Sequence, residues 1–141
     1  MGLPSDVYLE KLEKLSLNLQ IHRGGEAIFS SAGSGIAPLI EAIDSIGRAG
    51  LRGSIVADKI VGRAAALMAA YMEASEVHAA LISAGAKEVL RGHGIGFRFS
   101  RETRAILSRD GADLCPFERL VLDVRDPSEA YKRIKAKLSG S

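Results

Sequence analysis

An α/β chain is predicted, and three stretches predict it. Residues 60–72, Ile-Val-Gly-Arg-Ala-Ala-Ala-Leu-Met-Ala-Ala-Tyr-Met, are apolar almost all round, broken only by Gly62 and Arg63. A helix without a polar face is covered on most sides by other elements. Val77-His-Ala-Ala-Leu-Ile82 is a short, mostly apolar run of the kind found in a strand buried on both faces. A capped helical stretch and the alternating Ile95-Gly-Phe-Arg-Phe99 follow it. Helix, strand, helix and strand in succession predict a right-handed β-α-β crossover.

The remaining elements follow from local signals. Residues 4–15 predict a first helix, with Ser5 or Asp6 as its cap, Val7, Tyr8, Leu12 and Leu15 near helical spacing, and Glu10 four residues before Lys14. Leu17-Asn-Leu-Gln-Ile21 alternates as a strand, His22-Arg-Gly-Gly25 is turn material, and Glu26-Ala-Ile-Phe29 begins a returning strand, which together make a hairpin. Ser30-Ser-Ala-Gly-Ser-Gly35 is a small-residue loop without the spacing of a phosphate-binding motif. Residues 36–46 predict a helix through Leu39, Ile40, Ile43 and Ile46, and residues 47–53 lead from it into the apolar helix. Asp58 is expected to cap that helix, with Lys59 in its first turn. Ser83 caps the next helix, which Gly92-His-Gly94 stops. Residues 101–108 read as one or two helical turns. Pro116 opens a short helix with Cys115 before it and Glu118 in its first turn, and residues 119–124 either continue it, the favoured reading, or form a strand. Asp126-Pro-Ser-Glu129 is a strong helix start, with Ala130, Tyr131, Ile134 and Leu138 as the apolar stripe.

Composition removes several function classes. With 141 residues, 47% apolar and 26% charged, the chain fits one globular domain over residues 1–141. Nineteen basic residues against seventeen acidic ones, without a basic run and without Trp, argue against a nucleic-acid partner. The lone Cys115 permits no intramolecular disulfide, which fits a reducing cytoplasm. The start at Met1-Gly2 lacks the basic and apolar regions of a signal peptide, and its residues do not fit the myristoylation pattern. No apolar window of about 18 residues is free of charge, so no membrane partner is expected. Nothing points to a cofactor or a metal.

Two segments, Val56-Ala-Asp-Lys-Ile-Val-Gly-Arg-Ala-Ala-Ala66 and Arg109-Asp-Gly-Ala-Asp-Leu-Cys-Pro-Phe-Glu-Arg-Leu-Val-Leu-Asp123, resemble an uncharacterised prokaryotic family, domain of unknown function 1893. The order of elements around them also resembles it, over nearly the whole chain. Arg63 and Arg119 stand where the family often has Lys, Phe117 where it often has Met, and Ser108 where Asn is expected. The resemblance implies a cytidine deaminase-like fold: a three-layer α/β/α architecture in which a mixed sheet carries helices on both faces. Relatives of that fold commonly associate, so a homo-oligomer is one expectation. Zinc deaminases place a His or Cys two residues before a Glu on one helix start and a Pro-Cys-x-x-Cys on the next. Neither is here: residues 58–63 hold no His or Cys, residues 83–87 hold no thiol, and His22, His78 and His93 share no ligand spacing. Zinc-dependent deamination is therefore excluded, and catalysis of another kind stays open.

In the implied fold the starts of the two middle helices share a cleft. That would bring Asp58 and Lys59 near Ser83, with residues 109–118 as a wall. Cys115 is the candidate nucleophile, since a thiol at a helix N-terminus can be held as thiolate; its alternative is a structural cysteine. Asp58 is the candidate acid or base, or a plain cap. Lys59 and Arg109 would bind an anion, or Lys59 would pair with Asp110, Asp113 or Glu118. Asp113 sits beside the cysteine without a local task; Glu118 is most simply a first-turn acid, and Asp110-Gly111 a turn. Two functions follow. One is a small-molecule site, with a nucleotide-like ligand favoured only by analogy of fold, and thiol chemistry conceivable because one relative of the fold transfers sulfur through cysteine in formate dehydrogenase assembly. The other is a non-catalytic interaction module that kept the fold and lost the active site.

Overall fold

The computed structural model describes residues 6–140. Pro4 and Ser5, expected at the start of the first helix, and the Met1-Gly2 start lie outside the described residues.

Five strands form one mixed sheet. In chain order they are β1 (Leu19–Arg23), β2 (Glu26–Ser31), β3 (Ile55–Val61), β4 (Glu76–Ser83) and β5 (Gly96–Thr103), and in space they run β2-β1-β3-β4-β5. β1 is antiparallel to both β2 and β3, while β3, β4 and β5 are mutually parallel neighbours. Gly24 and Gly25, at φ +59° and +83°, make the hairpin turn between β1 and β2. His22 and Arg23, expected in that turn, belong to β1, and Ser30 and Ser31 extend β2 into the expected loop. Backbone pairing with a neighbour, Arg23 against Glu26 and Leu19 against Ser31, outweighs the turn propensity of these residues.

Helices cover both faces, so the architecture is α/β/α. On one face α1 (Val7–Lys14) contacts β3 and β4. Its cap is Asp6, whose Oδ1 accepts from the N–H groups of Tyr8 and Leu9 at 3.0 and 3.2 Å. The crossover helices α4 (Arg63–Tyr71) and α5 (Ala84–Gly92) link the parallel strands and pack on each other. The hand of such crossovers sets them on the same face. They carry the core with Leu67, Met68, Val89 and Leu90, all buried against Val56, Val77 and Ala79 of the sheet. The elements α2 (Ala37–Ile46), α3 (Arg48–Leu51), α6 (Pro116–Leu120) and α7 (Pro127–Leu138) complete the chain. α7 packs on α4 and α2: the Tyr131 ring stacks on Tyr71 at 4.7 Å, and its hydroxyl donates to Asp44.

Three expectations need correction. The apolar helix does not begin at Ile60, and Asp58 caps nothing: residues 55–61 are a central strand, and α4 starts at Arg63 behind a Gly62 cap. The apolar run is buried in either form, so its periodicity does not discriminate. The β-branched Ile55, Val56, Ile60 and Val61 and the pairing of β3 on both edges decide for strand. Residues 101–103 pair with Leu81, Ile82 and Ser83 as the end of β5, and residues 104–108 are irregular rather than helical. The helix at Pro116 ends at Leu120, short of the expected residue 124.

Candidate functional site

The carboxyl ends of β3 and β4 meet the starts of α4 and α5. Helix α4 needs acceptors for its first N–H groups, and Gly62 at its cap has no side chain to offer. Glu118 of α6 fills the gap across 54 residues of sequence. Its Oε1 accepts from the Arg63 N–H and its Oε2 from the Ala64 N–H, both at 2.7 Å. The carboxylate is buried. Burial raises its pKa above the usual value, against the opposing pull of those two N–H groups and of the Arg63 charge. A Cβ on Gly62 would come within 2.4 Å of Oε1, so the bare glycine is what admits the carboxylate. Arg63 reaches the other way: its Nε donates to the Val121 carbonyl at 3.0 Å and a terminal nitrogen to that of Val124 at 2.5 Å. Together Glu118 and Arg63 fasten the segment after β5 onto the head of α4.

Ser83 accepts from the Ala86 N–H at 3.1 Å and so caps α5. The Arg63 Cβ would lie 3.7 Å from a Cβ on Gly85, which sets the starts of α4 and α5 side by side. Asp58 pairs in register with Ala79, four residues before the level of Ser83, roughly 13 Å along the strand. Its carboxylate is buried, and its pKa is pushed up to about 7 by burial, partly offset by the N–H groups of Ile60 and Lys59. The Ile60 N–H reaches Oδ1 at 3.4 Å, and no cation pairs with it among the described residues. Lys59 is exposed.

The loop before α6 is held by its own polar groups. Asp110 accepts from the Ser108 hydroxyl and from the Ala112 N–H at 3.1 Å, closing a turn at Gly111 (φ +73°). Asp113 pairs with Arg119. Arg109 is exposed and has no acidic partner among the described residues. Cys115 is half-buried directly before α6, and its N–H donates to the Ile106 carbonyl at 2.9 Å. α6 has only five residues, so the dipole it offers a thiol is small. Among the described residues no three His, Cys, Asp or Glu side chains are grouped to hold a metal ion.

A second polar cluster lies under α1. His78 Nδ1 meets Asp6 Oδ2 at 2.6 Å, and the Tyr8 ring lies 4.7 Å from His78 and 5.0 Å from His22. Both imidazoles are buried. Partners separated by 72 residues leave no linear spacing to find; the sequence offers only one histidine in an apolar strand-like run, His78, and one in expected turn material, His22.

The family model for the domain of unknown function DUF1893 (TM1506) matches residues 8–138. The chain belongs to the DUF1893 family. A solved DUF1893 family protein, TM1506 from Thermotoga maritima, is 35% identical to this DUF1893 chain, covering 93% of it and 87% of the Thermotoga chain, with a TM-score of 0.84. No curated protein matches. The likeness extends over the sheet and over the Arg109–Asp123 segment that carries Cys115 and Glu118. No helix of the described residues is long and apolar enough to cross a membrane.

Proposed function

We propose that this DUF1893 chain binds a small, nucleotide-like or otherwise anionic molecule on a cytidine deaminase-like scaffold, at the carboxyl ends of β3 and β4. Cys115 is the group that would react with it or touch it. One observation carries the reading: the Glu118 carboxylate on the Arg63 and Ala64 N–H groups ties the segment bearing Cys115 to the head of α4. Open α/β sheets take ligands outside the carboxyl ends of their strands, where neighbouring crossovers diverge. Lys59 and Arg109 are the exposed cations that would meet the anion, and Asp58, ionising near neutral pH but buried roughly 13 Å along the strand from the level of Ser83, is the acid or base for a ligand that reaches down β3. Ser83 and Asp113 border the site.

A second reading, a binding module without chemistry, has its own support. The head of α4 is occupied by the chain's own carboxylate, so its N–H groups are spent on Glu118, and the five-residue α6 does little to stabilise a thiolate. The alkylation rate of Cys115 against pH, in wild type and Lys59→Ala, separates the two. A thiol titrating well below about 8.5 and moving up in the variant supports thiol chemistry. Slow alkylation, indifferent to Lys59 yet slowed further by added nucleotides, supports binding alone. Slow alkylation that nucleotides do not touch overturns the cleft.

A further inference from the structure

At the opposite end of the parallel strands, on the α1 face, a cavity of about 200 Å³ opens between α1, the β1–β2 turn and the start of β3. Tyr8 and Lys11 line it from α1, His22 and Arg23 from β1, and Ile55 from β3. Six residues of β3 separate Ile55 from Val61, roughly 20 Å, so this is not the cleft at the head of α4. We infer that this cavity is a binding site for a compact oxyanion that also bears a hydroxyl hydrogen, the chemistry shared by inorganic phosphate and a small hydroxycarboxylate.

Charge is the first argument. Two cations, Lys11 and Arg23, line the cavity without an acidic residue in its wall, and neither has an ion-pair partner among the described residues. The second is the hydrogen-bond direction at His22, a ring 3% exposed. The Gln20 Nε2 donates to the Ser30 hydroxyl at 3.0 Å, which leaves Gln20 Oε1 as the acceptor facing His22 Nε2 at 3.1 Å. His22 therefore carries its hydrogen on Nε2, and Nδ1 is a bare acceptor. Among the described residues Nδ1 has no partner, and it is not sealed from solvent. Burial, then the nearby positive charges of Lys11 and His78, hold the His22 pKa below its usual value and keep the ring neutral at pH 7. A site with two cations and one buried acceptor selects an anion that can also donate.

The test is a titration of the protein, labelled uniformly with ¹⁵N, with inorganic phosphate at neutral pH. Saturable shifts of His22 Nδ1 and of the Gly24 and Gly25 amides are expected. Sulfate, which has no hydrogen to donate at that pH, should bind about tenfold more weakly, and glycolate should bind in the same place. Arg23→Ala and Lys11→Ala should each weaken phosphate about tenfold, while Arg52→Ala, a cation paired with Glu73 outside the wall, should leave it unchanged. No saturable shift, shifts outside the cavity, or sulfate as tight as phosphate would overturn the assignment. Cys115 alkylation in the same titration reads the other cleft independently.

Discussion

The Glu118 Oε2 accepts the Ala64 N–H at 2.7 Å from 54 residues away, and that bond makes a C-terminal side chain the cap of a central helix. The carboxylate also holds the Arg63 N–H, so its removal leaves two buried donors bare. Glu118→Ala should cost about 3 kcal/mol in urea unfolding. Glu118→Gln, which keeps the shape and one of the two acceptors but turns an NH2 toward the other N–H, should cost about 2 kcal/mol. A Glu118→Gln variant as stable as wild type, beside a full loss in Glu118→Ala, would show that packing, rather than the carboxylate, matters there.

Gly62→Ala tests the same contact from the other side. A new Cβ would displace the Glu118 carboxylate, whose Oε1 would be only 2.4 Å away. The substitution should then cost about as much as Glu118→Ala, and the double variant should cost little more than either alone. A double-mutant cycle reads this directly; additive losses would mean that the glycine serves another purpose.

Arg63→Lys removes a planar fork from two carbonyls, those of Val121 and Val124. A lysine cannot span both. The expected loss is about 1–2 kcal/mol, with faster amide exchange in residues 119–125, which the fork holds against α4. Unchanged exchange in that segment would count against the role given to Arg63.

Asp58 gives the fold a pH dependence. Its native pKa, about 7, lies above its unfolded value of 3.8, so between these values the unfolded chain has released the proton that the folded chain still holds. The folded state therefore loses stability as pH rises from about 4 to about 7, by on the order of 4 kcal/mol for an isolated group, and the loss levels off above that. Glu118, shifted in the same direction, adds to the slope. Asp58→Asn should match wild type near pH 4 and be more stable near pH 8, as judged by urea midpoints. A wild-type advantage at pH 8 would mean that the ionised carboxylate has a partner.

Much of the architecture was legible because it is written locally. Ser83, Asp6 and Asp126 cap the helices that they were expected to cap, each through its own side-chain oxygen within three residues. Cys115 stands directly before α6 as expected, and Gly24 and Gly25 turn the hairpin. The strand β3 and the end of β5 are harder to read. Residues 55–61 were read as the entry to a helix because apolarity measures burial and not backbone form. Residues 101–103 read as helix because they end an edge strand whose side chains face water, so the alternation of residues 95–99 does not continue through them.

The candidate site divides along the same line. The sequence by itself determined which residues were chemically distinctive: the one thiol, the acids at Asp58, Asp113 and Glu118, and the Ser83 cap. Only the tertiary structure decided their partners. It spent Glu118 on the head of α4 and Asp113 on Arg119, left Asp58 buried without a cation among the described residues, and brought Asp6 and Tyr8 at the start of α1 onto His22 and His78. Caps and turns are contacts between near neighbours, and their residues encode them. A contact such as Arg63 to Glu118 is selected by how the sheet brings distant segments together, and no local spacing records it.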